Sequence, residues 1–182
     1  MARVTPVPAA NMNAAQRALY DRIAGVGRRA GAGPWTALLR VPDIGDPMAG
    51  MVEKFMADSR VPQKMKEIAI LVIARAYHAQ YAWTVHVRRS QRFALEQAAV
   101  EAIAAGRPPE FADAAERAVH DAAHELAVER KLSDAAYARL VQALGEEASV
   151  ELVSLIGFYI AIAVVCVAFD VDPPDGAGPL LP

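Results

Sequence analysis

The chain has 182 residues, a formal net charge of −2 and one cysteine, Cys166. This length suits a single domain with its own hydrophobic core. The near-zero charge argues against nucleic acid as a partner, because a protein that binds a phosphate backbone needs an excess of basic residues. A lone cysteine excludes an intrachain disulfide, and the first dozen residues lack the apolar core of a signal peptide; both features favour the cytoplasm.

Alanine is abundant, and proline and glycine fall mostly at the borders of apolar segments, so we expect an all-α fold. In the first half of the chain, Asn13 is expected to cap the first helix, and Pro62 to stand in the first turn of a long apolar helix. That helix is expected to bend between Tyr77 and Gln80. The helices predicted for this half span residues 13–24, 34–39, 47–58, 62–77 and 80–93.

In the second half, the predicted helices span residues 95–103, 111–131, 134–144 and 148–169. Ser133 is expected to cap the third of these, and Gly145 to end it. The last helix contains an uncharged run that just reaches the length of a membrane span. Glu151 and Asp170 bound this run, and no Lys or Arg anchors it, so we interpret it as a central core helix and expect no membrane association.

A weak internal repeat is visible, because Glu67 and Glu151 each open a strongly apolar helix. Duplicated helical units can bury each other's apolar faces. We therefore predict a single domain over residues 1–182, with a first repeat at 34–105, a degenerate second repeat at 106–170 and an extended tail at 171–182. Chance similarity between two apolar helices is the alternative.

The stretch from Glu67 to His86 places a few polar groups inside an otherwise apolar region. Residues 68–74 carry no polar side chain, so this helix should be buried around most of its girth. A buried carboxyl and a buried imidazole both need partners, because burying an unpaired polar group is costly. We therefore predict that Glu67 and His86 form a proton-handling pair in a pocket between helices. The alternative is that Glu67 caps its helix and His86 satisfies a buried carbonyl.

His120 and His124 have the i, i+4 spacing that places two metal ligands on one helix face. They continue a polar stripe that includes Asp113 and Glu116. A solvated face is therefore the better interpretation, and we predict no metal site.

The pattern Glu67…Tyr81-x-Trp83-x-x-His86 resembles the carboxymuconolactone decarboxylase and alkylhydroperoxidase D superfamily. The resemblance extends to residues 35–42 and to the end of the last helix. It implies an all-α bundle that assembles as trimers or hexamers, with a pocket near the subunit contacts. It also implies an enzyme that needs no metal or cofactor and acts on a small molecule, of the kind found in aromatic catabolism.

The peroxidase branch of that superfamily uses a Cys-x-x-Cys pair, and those two positions fall on Ala79 and Ala82 here. Thiol redox chemistry needs a thiolate and a resolving partner, so we expect no peroxidase activity. Many thiol-less relatives carry a glutamate where this chain has Ala82.

These residues together predict a cofactor-independent lyase or isomerase that acts on a small carboxylated or lactone-like metabolite. The alternative is a non-catalytic, oligomeric small-molecule-binding protein. The residues expected to be catalytic are Glu67, His86 and Tyr81, and those expected to bind substrate are Trp83, Arg75 and His78. Among them, Tyr81 offers a phenol that can polarise a carbonyl, and Arg75 a guanidinium for a carboxylate.

Overall fold

The structure, a computed structural model, describes residues 2–25, 29–174 and 181. Within these ranges the regular structure is entirely helical, as the sequence predicts. A short 3₁₀-helix at Ala9–Asn11 precedes the α-helices. The α-helices are α1 (Ala14–Gly25), α2 (Trp35–Leu38), α3 (Pro42–Ala57), α4 (Gln63–Ala76), α5 (Gln80–Gln91), α6 (Gln97–Ala104), α7 (Ala114–His124), α8 (Asp134–Leu144) and α9 (Glu146–Ala168).

Polar side chains cap the helices where the sequence predicts them. Oδ1 of Asn13 accepts a hydrogen bond from the Gln16 backbone N–H at 2.9 Å, and Oε1 of Gln16 accepts one from the Asn13 N–H at 3.0 Å. This reciprocal arrangement satisfies two donors at the start of α1. Ser133 caps α8 through the Ala136 N–H. Both predicted caps are confirmed.

Two predicted helices differ from those observed. The third helix begins at Pro42, five residues earlier than expected, and contains Pro47. Proline suits the first helical position, and an internal proline costs one backbone hydrogen bond without ending a well-packed helix. The helix expected over 111–131 ends as α7 at His124 and continues as a π-helical turn, Glu125–Glu129. Arg130 then adopts a left-handed conformation, φ 59°, which stops the helix.

The break between α4 and α5 is confirmed, and it has a backbone cause. His78 takes φ 52°, a left-handed conformation that α-helix geometry excludes. The chain therefore turns sharply, and α5 packs along α4. In this helical hairpin, Glu67 precedes the turn and faces residues of α5, which follow the turn.

The core is centred on α4, which packs against α5, α6, α7 and α9. Its residues from Met65 to Ala74 are all buried, so the helix is covered around its whole girth. By contrast, α9 is buried on one side, against α4, α5 and α8. Its other side exposes Val150 and Val164.

Among the described residues, α9 is the one helix that is long and apolar enough to cross a membrane. One such helix is weak evidence for a membrane, because core helices of soluble proteins meet the same criteria. The extended tail is described only in part. Residues 171–174 have no regular structure, and Leu181 exchanges two hydrogen bonds with the Gln80 side chain. The other tail residues, 175–180 and 182, lie outside the described ranges.

Candidate functional site

Glu67 and His86 are in direct contact across the α4–α5 hairpin. Oε2 of Glu67 lies 2.7 Å from Nδ1 of His86. The Glu67 side chain is fully buried, and His86 is 8% exposed. Because Nδ1 faces the carboxylate, the other ring nitrogen, Nε2, is the one left for a reacting molecule. The Tyr159 ring meets the imidazole edge to face, with ring planes 88° apart, and fixes its orientation.

A third residue, Arg89, completes this contact. Its Nε donates to Oε1 of Glu67 at 2.6 Å, so each carboxylate oxygen has a nitrogen partner. Arg89 follows His86 by three residues, which places both side chains on one face of α5. A buried carboxylate needs a charged or hydrogen-bonding partner to remain ionised. The sequence interpretation missed Arg89, although its spacing from His86 was a usable signal.

A cavity of about 450 Å³ opens beside this group. His86, Arg88 and Arg89 of α5 line it together with Arg92, which follows the end of α5, and no Asp or Glu is among its described lining residues. Its apolar walls come from α2, α3 and α9. The remaining lining residues are Arg29, Pro34, Trp35, Val52, Met56, Tyr81, Ala82, Val85, Tyr159, Ile162 and Pro174. The cavity is therefore positively charged on one side and apolar on the other, which suits a small organic anion.

Tyr81 lies in the same cavity, and its ring packs directly on Gly33. A Cβ atom at Gly33 would come within 2.3 Å of that ring, so only glycine permits this approach. Burial, and then the neighbouring Cys166, raise the pKa of the Tyr81 phenol above its usual value. The phenol is therefore neutral at neutral pH and is able to donate a hydrogen bond into the cavity.

The structure does not bring the other three predicted residues to this cavity. Trp83 is buried in the core, and the aromatic wall is supplied by Trp35 instead. His78 is exposed at the turn between α4 and α5. Arg75 lines a separate cavity, because eight residues along α4 carry it about 12 Å from Glu67.

The residues at the thiol positions of the peroxidase branch are small and apolar. Ala82 lines the cavity, and Ala79 is buried behind it. Cys166 is buried in α9, and burial raises its pKa to about 12. A thiol with such a pKa has almost no thiolate at neutral pH and is a poor nucleophile. Within the described part of the chain, no three His, Cys, Asp or Glu side chains cluster so as to hold a metal ion.

The sequence matches no family model and no curated protein, but the fold matches solved structures. One is the alkylhydroperoxidase AhpD core of a peroxidase-related protein from Ralstonia eutropha JMP134. It has a TM-score of 0.79 at 15% identity, and the match covers 96% of this chain and 93% of that one. This chain has the all-α fold of the AhpD-like proteins.

Two further structures with this AhpD-like fold agree. The debrominase Bmp8, in complex with 2,3,4-tribromopyrrole, has a TM-score of 0.75 at 19% identity, covering 94% of this chain and 91% of Bmp8. A protein of unknown function from Agrobacterium tumefaciens has a TM-score of 0.66 at 15% identity, covering 73% and 92%. At such identities the likeness shows the fold, and the activity has to be argued from the site.

Proposed function

We propose that this AhpD-like protein is a lyase or isomerase that needs no cofactor and moves a proton on a small carboxylated substrate. The observation that carries the proposal is the contact chain Arg89–Glu67–His86, which ends at an arginine-lined cavity. In this assignment His86 is the acid and base, and Glu67 and Arg89 position it. A carboxylate behind an imidazole fixes its tautomer and stabilises the imidazolium.

The positive side of the cavity supports a carboxylated substrate. Arg88 on α5 and Arg92 at its C-cap are four residues apart, and both line the cavity with Arg89. A guanidinium binds a carboxylate with two parallel hydrogen bonds. The facing wall of Trp35 and Met56 suits the carbon skeleton of an unsaturated acid or lactone. The neighbour Bmp8 binds a small ring, the tribromopyrrole.

The chemistry follows from these positions. In an isomerisation, Nε2 of His86 takes a proton from the carbon next to a carbonyl, and the bonding electrons move to the carbonyl oxygen. The neutral Tyr81 phenol donates a hydrogen bond to that enolate oxygen. The imidazolium, held by the Glu67 carboxylate, then returns the proton to a different carbon. In a decarboxylation, the breaking C–C bond supplies the enolate electrons, carbon dioxide leaves, and His86 delivers the proton.

We also propose that the protein is a cytoplasmic homo-oligomer, a trimer or hexamer. Support comes from the exposed side of α9, where small or apolar residues recur every three or four positions. They are Val150, Ser154, Gly157, Ala161 and Val164. This spacing is that of a helix seam that packs against another helix. We call these five residues the α9 stripe. A second copy of the chain is the partner we expect on the α9 stripe, because the stripe is largely apolar and lies beside the cavity-lining residue Ile162.

A second candidate function is a binding protein that holds its ligand without changing it. Ala82 supports it, because a methyl group lines the cavity where many thiol-less relatives carry a glutamate. A general acid is thereby missing from one wall. The two candidates differ in whether a bound carboxylated compound exchanges its carbon-bound protons with the solvent.

Proton exchange in heavy water tests the proposal. The protein is incubated in D₂O with a panel of unsaturated acids and carboxylated lactones, and deuterium incorporation is followed by NMR. We expect incorporation with at least one compound, and a loss of about a hundredfold or more in His86→Gln and Glu67→Gln. The control is His78→Asn, an exposed histidine at a left-handed position that asparagine tolerates. Binding without exchange would favour the second candidate, and equal exchange in His86→Gln would end the first.

A further inference from the structure

A second cavity, of about 330 Å³, lies on the other side of α4 from the arginine-lined cavity. It is enclosed by α4, α6, α7, the π-helical turn and α8, and the proposed reaction does not use it. Its size falls within the range of small-molecule sites. A π-helical turn beside a cavity often marks a functional site, since it redirects side chains at the cost of regular hydrogen bonds. The turn 125–129 contributes Glu125, Val128 and Glu129 to this cavity.

Two arginines supply positive charge here without a carboxylate partner among the described residues. Arg75 donates from Nε to the Ala104 carbonyl at 2.7 Å, which anchors the guanidinium. The backbone at Gly106 passes beside the guanidinium, since a Cβ there would make an ordinary contact, 3.4 Å from Nη2 of Arg75. Arg107 lines the opening and is exposed. The two Nη groups of Arg75 are thus held beside the cavity, where their N–H groups can donate hydrogen bonds to an anion.

Two of the three acids that line the cavity already have polar partners. Asp121 contacts Nδ1 of His120 at 3.1 Å and the Arg139 guanidinium at 3.7 Å. Both oxygens of Glu125 accept hydrogen bonds from Ser133, at 2.7 and 3.0 Å. Only the exposed Glu129 is without such a contact among the described residues. The lining charges cancel in number, but Asp121 is paired with Arg139 and Glu125 is hydrogen-bonded to Ser133, whereas Arg75 and Arg107 have no carboxylate partner among the described residues.

Two imidazoles add a flat surface to the cavity. His120 and His124 stack with ring planes 22° apart and centroids 6.2 Å apart. His120 is buried rather than solvated, contrary to the sequence interpretation, and burial lowers its pKa below the usual value. A neutral, flat imidazole is a good packing partner for another planar ring. Val72 and Ile103 complete an apolar wall.

We propose that this second cavity binds a small planar organic acid, with its carboxylate on Arg75 and Arg107 and its ring against His120 and His124. The site is separate from the Glu67–His86 cavity, and the proposal holds whether or not that cavity is catalytic. The described residues offer no cluster of metal ligands here, so the histidine pair is assigned to ligand packing and not to a metal.

Benzoate is the probe, and the four histidines of the chain are the reporters. Protein labelled with ¹³C in histidine is titrated with benzoate, and the four ring signals are assigned by single His→Gln variants. His120 and His124 report on the second cavity, and His86 on the first. We expect saturable shifts of the His120 and His124 signals. In Arg107→Gln, the affinity measured from these two signals should fall about tenfold, because one charge-assisted contact is lost.

Arg75→Gln should weaken the same binding further, and Arg107→Gln keeps the test valid if Arg75→Gln does not fold. The matched control is Arg92→Gln, which removes an arginine from the first cavity and should leave the His120 and His124 shifts unchanged. The proposal is overturned if benzoate shifts only the His86 signal or none. It is equally overturned if Arg107→Gln binds as wild type does.

Discussion

Arg89 and Glu67 are joined by a 2.6 Å hydrogen bond that leaves no oxygen of the buried carboxylate without a nitrogen partner. Arg89 thus links a core carboxylate to the cavity, because its side chain is 31% exposed and lines that cavity. The arrangement makes Glu67 a fixed acceptor for the imidazole rather than a group that meets substrate. The polar groups that line the cavity are His86, Tyr81, Arg88, Arg89 and Arg92, together with Arg29 and Tyr159.

The first prediction concerns Arg89 as a positioning residue. Arg89→Met should lower the turnover assigned to His86 by about tenfold to a hundredfold, because Glu67 then holds the imidazole less firmly. It should also shift the downfield proton NMR signal of the His86 Nδ1–H group. If Arg89 had a purely structural role, this signal would not move. Arg89→Lys should recover part of both effects, since it restores the charge but not the planar fork. Unchanged turnover and an unchanged proton signal in Arg89→Met would contradict this role.

The second prediction concerns the contact of Gly33 with Tyr81. Gly33→Ala introduces a Cβ at φ 64° and within 2.3 Å of the Tyr81 ring. We expect a loss of about 2–4 kcal/mol in the free energy of unfolding, from backbone strain and the displaced ring together. Urea denaturation measures this loss, and the activity should fall with it.

Gly106→Ala is the matched control for that substitution. Gly106 has nearly the same φ, 67°, and a Cβ there would make only an ordinary contact, 3.4 Å from Nη2 of Arg75. Only the backbone term of about 1–2 kcal/mol should therefore remain. Equal losses in the two variants would show that the Tyr81 contact contributes nothing.

The third prediction is a pH dependence of stability from Lys66. Its ammonium is buried and donates to the Phe55 carbonyl at 2.7 Å. Burial lowers the pKa of Lys66 below 10.5 in the folded state. Between the lowered pKa and 10.5, the unfolded chain binds more protons than the folded one, so the free energy of unfolding rises with pH through this window.

Lys66→Met should remove that rise. Urea denaturation of both proteins between pH 8 and pH 10.5 gives the comparison, with the difference in unfolding free energy plotted against pH. The free energy of unfolding of the wild type should increase relative to that of Lys66→Met as the pH increases. A difference that is flat across the window would show that Lys66 has the same pKa in the folded and unfolded states.

The fourth prediction concerns the α9 stripe and the oligomer. Val164→Glu should dissociate the assembly into smaller species, because a charge in the apolar seam would be buried without a partner. Tyr137→Glu on α8 is the control, since both side chains are 47% exposed. Sedimentation velocity measures the mass of each. A wild type that sediments as a monomer, or a Val164→Glu variant with the wild-type mass, would contradict the proposed interface.

Much of the fold was predictable from local features. Asn13 and Ser133 cap helices because their short side chains reach backbone donors two or three residues ahead. The uninterrupted apolar run after Glu67 predicted a helix buried around its girth, and α4 is such a helix. The predictions were wrong at the start of α3 and at the π-helical turn. The packing of α3 outweighs the helix-breaking effect of Pro47, and no residue type specifies a π-helical turn.

The sequence by itself determined an all-α chain and predicted the pairing of Glu67 with His86, which the structure then showed. A carboxylate and an imidazole buried in apolar helices must find each other or another partner. Only the tertiary structure decided which residues share the cavity. It added Arg89 and Trp35, and it left Arg75, His78 and Trp83 elsewhere. The reason is that spacing along one helix fixes a side chain's direction, whereas the hairpin turn at His78 and the packing of α5 on α4 fix what that side chain meets.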